Sequence, residues 1–460
     1  MSGICAKRDT TGAHGLGSLH PMLILVSALL LIAVSCSGTT TNAGSSGLRA
    51  AEPQDVVDLA PAVVPESERV ATLRIAAWKG NDLEPAGLPE LIAAFEAENP
   101  GVVVELTYAS RLDMPIVLQR LFEAGQSPDV IMADVQLVAE LRGQTPPREM
   151  IDLGFDREWY GRISPSLQNA LTTEDGIQIM PVEVIGMGNF VNMSLLESVG
   201  LIGAPTTIDD LLDACRRLDQ AGIAPLVFTG TFQASLFVIA NGLQDSDVPA
   251  PEFGSGEHVF VGDPSFEQSL DVIQELIRAR CFDPAEQASL DPWSTALTAF
   301  KDGQVAMMPQ GAWNIAAFDD VDGLDYVFAP IPSHNPLGVT VDLFGMGWSI
   351  PADAENTELA RSFIDWFALP LQVQMVLEAE AAYTPFDDGS TGTPRSAAPF
   401  DRSRAEGEPV NFPFALNQWP GGLEREAWAS MTALLLDPAI PNAKVLERWD
   451  DAVAAEQAGG

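Results

Sequence analysis

The chain has 460 residues, enough for two domains and a large core, and its 47% apolar and 7% aromatic content is that of an ordinary globular protein. Its 64 Asp and Glu against 24 Lys and Arg give a formal net charge of −40, which excludes a nucleic-acid binder that works by neutralising phosphate and reads as solubility or a saline habitat. The four cysteines, Cys5, Cys36, Cys215 and Cys281, form no C-x-x-C pair and have no histidine cluster beside them, which argues against structural zinc and thioredoxin-like redox chemistry.

Lys7 and Arg8 precede an apolar run from Met22 to Val34, the length of a signal-peptide core and short for a bilayer span, so residues 1–35 read as an export signal. Ala33-Val34-Ser35-Cys36 resembles the bacterial lipobox, in which the cysteine is lipidated and becomes the new amino terminus, although Ala33 stands where Leu is more usual. An ordinary signal peptide with an incidental Cys36 is the alternative. From Ser37 to Ser67 the chain is rich in Ser, Thr, Gly, Ala, Pro and acids without apolar periodicity, so residues 36–70 read as a lipidated cysteine and a flexible tether. Two acyl chains would hold the folded body outside the cell and close to the membrane.

The body opens with a strand at Leu73-Arg74-Ile75-Ala76-Ala77, which delivers Trp78, Lys79, Gly80 and Asn81 to its carboxyl end. Leu88, Leu91, Ile92 and Phe95 stripe a helix that Asn99-Pro100-Gly101 stops. Val102 to Leu106 is a second strand, Leu112 to Ala124 a second helix, and Asp129 to Ala133 a third strand. Strand, helix, strand, helix, strand predicts an α/β fold with a parallel sheet, whose ligands sit beyond the carboxyl ends of the strands. Here those ends are Trp78 to Asn81, Tyr108 to Arg111 and Asp134 to Gln136.

Further on, Leu137 to Arg142 is a short helix, and Gln144 to Gln168 carries no clear pattern. Gly176 to Pro181 is strand-like and leads into Val184 to Asn192, which reads as a crossing between two lobes. Thr207 and Asp210 match a capping box, and Ile208, Leu211, Leu212 and Cys215 stripe the helix that follows. Cys215 is then a small core hydrophobe, with a disulfide to Cys281 as the alternative. Ala224 to Phe228 and Gly303 to Met308 are strands of a second α/β lobe, with Phe232, Gln233, Gln310 and Trp313 near their ends. Helices are predicted over Phe266 to Arg278 and Trp293 to Lys301, and strands over Tyr326 to Pro330 and Leu343 to Ile350. Leu359, Phe363, Trp366 and Phe367 stripe another helix, the Pro-rich segment after Pro385 through Glu408 reads as a surface excursion, and two helices close the chain.

Several stretches carry a resemblance as a set. Ile92-Ala93-Ala94-Phe95-Glu96-Ala97-Glu98-Asn99-Pro100-Gly101, Gly125-Gln126-Ser127-Pro128-Asp129-Val130, Asn192 to Leu201 with Pro205 to Leu212, and Ala299 to Met308 with Gly311-Ala312-Trp313 resemble, in that order, the maltose-binding-like extracellular solute-binding proteins of bacterial ABC importers. The resemblance implies a type II periplasmic-binding-protein fold, two α/β lobes around a ligand cleft that closes by hinge motion. It divides the body into residues 71–181 with about 334–384, and 182–333 with about 385–460, and places the crossings near Pro181 to Gly188, Ala329 to Ser333 and Ala382 to Phe386. It implies a monomeric lipoprotein on the outer face of the cell membrane that delivers a small molecule to ABC permease subunits, with no cofactor, no metal and no nucleic acid.

A neutral sugar or oligosaccharide needs flat apolar surfaces and convergent donors and acceptors. Trp78, Trp313, Trp348 and Trp419 are the candidate platforms, and Asn81, Asp134, Glu183, Gln233, Gln310 and Asp342 the candidate polar groups. Trp366 and Trp449 sit in helical stripes and read as core. Glycerol phosphate would need a cation, for which Lys79 and Arg111 are nearest; a polyamine or peptide would favour more acids and fewer platforms. The enzyme alternative, a secreted carboxylate hydrolase, has little support where acids are so abundant. There is no G-x-S-x-G elbow, H-E-x-x-H or P-loop, and Gly186-Met187-Gly188 and Gly345-Met346-Gly347 lack the third glycine of a dinucleotide loop.

Overall fold

The computed structural model describes residues 71–78, 87–111, 113–387 and 392–459. The export signal, the tether, Cys36, Lys79 and Asn81 lie outside the described residues. The chain divides into two compact units, Met1–Ala60 and Pro61–Gly460, and all described residues belong to the second.

The strands are β1 (Ala71–Trp78), β2 (Val102–Ala109), β3 (Val130–Ala133), β4 (Thr172–Thr173), β5 (Gly176–Ile177), β6 (Met180–Asn192), β7 (Ala224–Leu226), β8 (Val305–Gly311), β9 (Tyr326–Ala329), β10 (Val341–Ser349) and β11 (Val410–Asn411). β4 and β5 pair with each other; the other nine form one sheet in the order β2-β1-β3-β10-β6-β8-β7, with β11 on β10 and β9 on β6. β1 runs parallel to β2 and β3, as the alternation of strands and helices predicts. β7 is likewise parallel to β8. Between these parallel ends, β10 runs antiparallel to β3 and β6, and β6 antiparallel to β8, while the short β11 lies parallel to β10, so the sheet is mixed.

β6 connects the two ends. Its first half pairs with β10, from Met180 opposite Trp348 to Met187 opposite Val341. Its second half pairs with β8 and β9, out to Asn192 opposite Tyr326. All thirteen residues of β6 are buried, the near-continuous apolar reading of a strand covered on both faces.

Two cores flank this strand. Leu73, Ile75, Phe95, Trp348, Phe363 and Phe367 belong to the first, and Met187, Val191, Phe237, Phe266, Trp419 and Trp449 to the second. The helices that cover them begin and end as the sequence says. Leu88–Glu98 starts with Pro89 in its first turn and ends before Asn99. Ile208–Gln220 is capped by Thr207, whose hydroxyl accepts from the Asp210 amide at 3.1 Å. Cys215 in that helix is joined to Cys281 by a disulfide, so the second of the two sequence alternatives holds in this structure. Among the described residues no helix is long and apolar enough to cross a membrane.

The segment taken as a surface excursion folds otherwise. It contains the helix Ala398–Glu406, and Phe400 is fully buried, with its ring 4.8 Å from that of Phe328. A Cβ at Gly186 or Gly188 would come within 2.8 Å of that ring, so the two glycines read as turns or close approaches are the seat of Phe400 on β6. The helices Gln233–Asp245 and Pro370–Glu380 were not evident in the sequence. Gln233 to Gly242 is buried all round, which leaves no amphipathic stripe to read.

Candidate functional site

The carboxyl ends of β1, β2 and β3 bring Trp78, Arg111 and Asp134 together. Asp134 ends β3 and caps the helix Val135–Arg142, its carboxylate accepting from the Leu137 amide at 2.6 Å. The same carboxylate takes both arms of Arg111, from Nε at 2.6 Å and from Nη2 at 3.0 Å. Glu140, one turn into the helix, stands 3.6 Å from the same guanidinium. Burial pulls the Arg111 pKa down, but the two carboxylates outweigh it and hold the cation charged. Its guanidinium carbon lies 5.7 Å from the centre of the Trp78 ring, within cation–π range.

The opposite side of this cluster comes from the far end of the chain. Glu424 lies in the first turn of the helix Gly421–Leu436, whose Leu423 and Ala427 belong to the second core. Its carboxylate faces the side chain of Gln136, in the first turn of Val135–Arg142, and feels the charges of Arg111 and Asp134. Burial is the largest influence on Glu424 and raises its pKa, and Asp134 adds to the rise. An element rooted in the second core thus touches the strand ends of the first.

Trp313 follows β8 and is half-buried, packed against both cores. Its ring packs over the last residue of β8, Gly311, because that residue has no side chain; a Cβ there would come within 2.3 Å of the ring. Gln310 stands at the carboxyl end of β8 and Gln233 opens the helix that follows β7, both fully buried. Gln310 donates to the Pro292 carbonyl at 3.4 Å and accepts from the Gly311 amide at 3.1 Å. Gln233 accepts from the Thr229 hydroxyl, while its Nε2 has no hydrogen-bond partner. Glu183, on β6, is buried beside Gly345, where a Cβ would come within 2.7 Å of its carboxylate.

Three of the sequence candidates stand elsewhere. Trp348 is fully buried between Phe363 and Phe367, at ring separations of 5.6 and 5.2 Å, and fills the first core instead of offering a face to a ligand. Trp419 is packed against Phe260 and Phe414 at 5.1 and 5.4 Å and donates its indole N–H to the Ala250 carbonyl at 2.7 Å, so its loop is folded into the second core. Asp342 is held by both arms of Arg404, at 2.8 and 2.6 Å, and that guanidinium stacks 4.3 Å from the centre of the Tyr383 ring. Its lone pairs are taken by a cation from the helix Ala398–Glu406, a partner invisible while that segment was read as surface. Sequence reasoning missed Glu424; its one signal was an acid in the first turn of a helix that opens after Trp419-Pro420. Among the described residues no group of three or more His, Cys, Asp or Glu could hold a metal ion.

A family model described as bacterial extracellular solute-binding protein matches residues 79–373. The chain is 25% identical over 358 residues to an uncharacterized ABC transporter extracellular-binding protein of Pyrococcus horikoshii, covering 74% of this chain and 77% of that one. Among solved structures it is similar to a probable secreted solute-binding lipoprotein from Streptomyces coelicolor, with a TM-score of 0.66 at 20% identity over 83% of this chain and 98% of the other. It is also similar to a sugar transporter from Bacillus licheniformis in complex with stachyose, with a TM-score of 0.61 at 16% identity over 82% and 98% of the two chains. These solved structures share the two-lobed, maltose-binding-like fold.

Proposed function

The chain belongs to the bacterial extracellular solute-binding protein family, a family of transport proteins and not of enzymes, and from that premise we propose that it captures a neutral sugar or oligosaccharide for an ABC importer. The observation that carries the ligand class is the state of Arg111. An anionic ligand such as glycerol phosphate needs a free cation in the cleft. Arg111 is instead clamped by Asp134 and approached by Glu140, so its charge is spent within the protein. What the cluster leaves for a ligand is the indole of Trp78, together with the Gln136 amide and the Glu424 carboxylate, while Asp134 holds Arg111 in place beneath them. Flat apolar surface with carboxylates that each accept hydroxyl hydrogen bonds is the recognition chemistry of a sugar.

On this reading, residues 71–181 with about 334–384 and residues 182–333 with about 385–460 are two lobes that close over the ligand, hinged where β6 passes from β10 to β8. Trp313, packed against both cores, stands where the lobes meet. Gln233, Gln310 and Glu183 are the further polar groups of the second wall, and Asn81 belongs to the same loop cluster as Trp78 by sequence. The stachyose-bound relative of the same fold supports a carbohydrate, and the Pyrococcus horikoshii and Streptomyces coelicolor relatives support an importer partner and a lipid anchor through Cys36. Calorimetric titration of the wild-type protein and of Trp313→Ala with raffinose, stachyose, maltose and glycerol 3-phosphate tests the reading. Heat of binding from a saccharide, lost in the variant, is the expected result; binding of glycerol 3-phosphate alone would contradict it.

A further inference from the structure

Of the nine tryptophans, all described, Trp293 alone has an exposed ring, with 41% of its surface open. The sequence pattern puts it at the start of a helix, but it stands outside the helix Thr295–Lys301, in the turn that precedes it. That turn is pinned on both sides of the ring. The Pro292 carbonyl accepts from Gln310 at 3.4 Å, and the Asp291 carboxylate takes the amide of Ser294 at 2.8 Å together with its hydroxyl. The Ala296 amide closes back on the Asp291 carbonyl at 3.1 Å. The ring itself rests on the buried Phe232, with centroids 4.8 Å apart.

These contacts fix where the ring is. Phe232 stands after the carboxyl end of β7, and Gln310 is the penultimate residue of β8. β7 and β8 are parallel, so Trp293 is held over the carboxyl edge of the second parallel pair, the edge at which α/β sheets take their ligands. Beside Phe232 in the chain are two polar groups without hydrogen-bond partners, Thr231 Oγ1 and Gln233 Nε2, the latter on a fully buried side chain. A large ring that packs one side on Phe232 and leaves the rest open to water at a strand-end edge, beside unpartnered polar atoms, is placed to meet a ligand.

We propose that Trp293 is the platform of an outer carbohydrate subsite, distinct from the Trp78, Asp134 and Glu424 cluster, and that the ligand is an oligosaccharide long enough to lay a further ring on it. The inference rests on the carbohydrate reading above. A monosaccharide held at the strand ends of the first lobe would leave Trp293 wet, whereas a longer chain would cover its apolar face with the C–H face of an outer sugar ring.

The test is calorimetric titration of the full-length protein and of Trp293→Ala with galactose, melibiose, raffinose and stachyose, and with glucose, maltose, maltotriose and maltotetraose. The unliganded thermal midpoints of the two proteins are compared alongside; loss of the packing on Phe232 should lower that of the variant modestly, leaving both proteins folded at the titration temperature. In the series that binds, Trp293→Ala should weaken the longer members roughly tenfold and leave the shortest binding member unchanged. An equal loss at every length, or no loss at any, would overturn the subsite while leaving carbohydrate binding intact. Failure of the wild-type protein to bind any member of either series would overturn the carbohydrate reading and the subsite with it.

Discussion

Asp134 receives both arms of Arg111 at 2.6 and 3.0 Å while also capping the helix Val135–Arg142. One carboxylate therefore holds a strand end, a helix start and a cation in a single cluster under Trp78. Asp134→Ala removes the cap, which costs about 1 kcal/mol, and releases the Arg111 charge into the cleft. Chemical denaturation should show that modest loss, with the fold retained by circular dichroism. Titration should show loss of saccharide binding and a gain in affinity for inorganic phosphate, the ligand that a freed guanidinium would recruit. Arg111→Ala should abolish that phosphate affinity in the double variant.

The burial of Glu424 opposite Gln136 makes the stability of the fold pH-dependent. Burial raises the Glu424 pKa above its ordinary carboxylate value. A carboxyl group raised in this way favours the folded state fully at pH below its unperturbed pKa, and that contribution falls away as pH rises through the raised value. Glu424→Gln keeps a hydrogen-bonding amide opposite Gln136 without the charge. The thermal midpoint of the variant should therefore exceed that of the wild type at pH 7, and the gap should narrow as pH is lowered through the carboxylate range. A gap that widens toward acid would contradict the assignment.

Phe400 depends on two glycines. At Gly188 an added Cβ would lie 2.5 Å from the Ala329 carbonyl and 2.8 Å from the Phe400 ring. The first of these is backbone and cannot turn aside. Gly188→Ala should cost about 1–3 kcal/mol by overpacking, and Phe400→Ala about 3–5 kcal/mol by the cavity it leaves. Both are measurable by urea denaturation, and both should make the protein more susceptible to proteolysis in the segment 392–411.

The Cys215–Cys281 disulfide closes a loop with a sequence separation of 66. In the chain-entropy view such a cross-link contributes about 4 kcal/mol through the unfolded state. The Cys215→Ser, Cys281→Ser double variant should lose stability of that order in urea denaturation while retaining saccharide affinity, since neither cysteine stands at a strand end. Loss of binding with stability intact would place the bond in the site rather than in the scaffold.

The fold was legible wherever periodicity met a stop signal. β1, Leu88–Glu98, β2 and the Thr207-capped helix could all be read because each combines a clean apolar spacing with a Pro, Gly or capping residue at its end. Gln233–Asp245 could not, because burial all round removes the stripe, and Ala398–Glu406 could not, because what decides its burial is two missing Cβ atoms on β6, far away in the chain. The site divides in the same way. Trp78 and Asp134 follow from the carboxyl-end rule, since each ends a strand that the sequence reveals. Trp348 and Trp419 failed because a tryptophan near a turn looks the same whether it lies in a cleft or in a core, and only their aromatic neighbours decide. Asp342 failed because its partner, Arg404, lies 62 residues on, in a helix that was not foreseen. Glu424 escaped because its role depends on a helix from one core meeting a strand end of the other.

The central claim, capture of a saccharide at the strand-end cluster, is tested most directly by thermal unfolding of the protein against a panel of mono-, di- and oligosaccharides, polyols, glycerol phosphates, oligopeptides and polyamines. A ligand at a hundredfold excess over its Kd adds roughly 2.7 kcal/mol, a readily visible rise in the midpoint. The account predicts a rise with one saccharide series that is abolished by Asp134→Ala, and a flat response to the other classes. A rise with a glycerol phosphate, a peptide or a polyamine, and none with any saccharide, would contradict it.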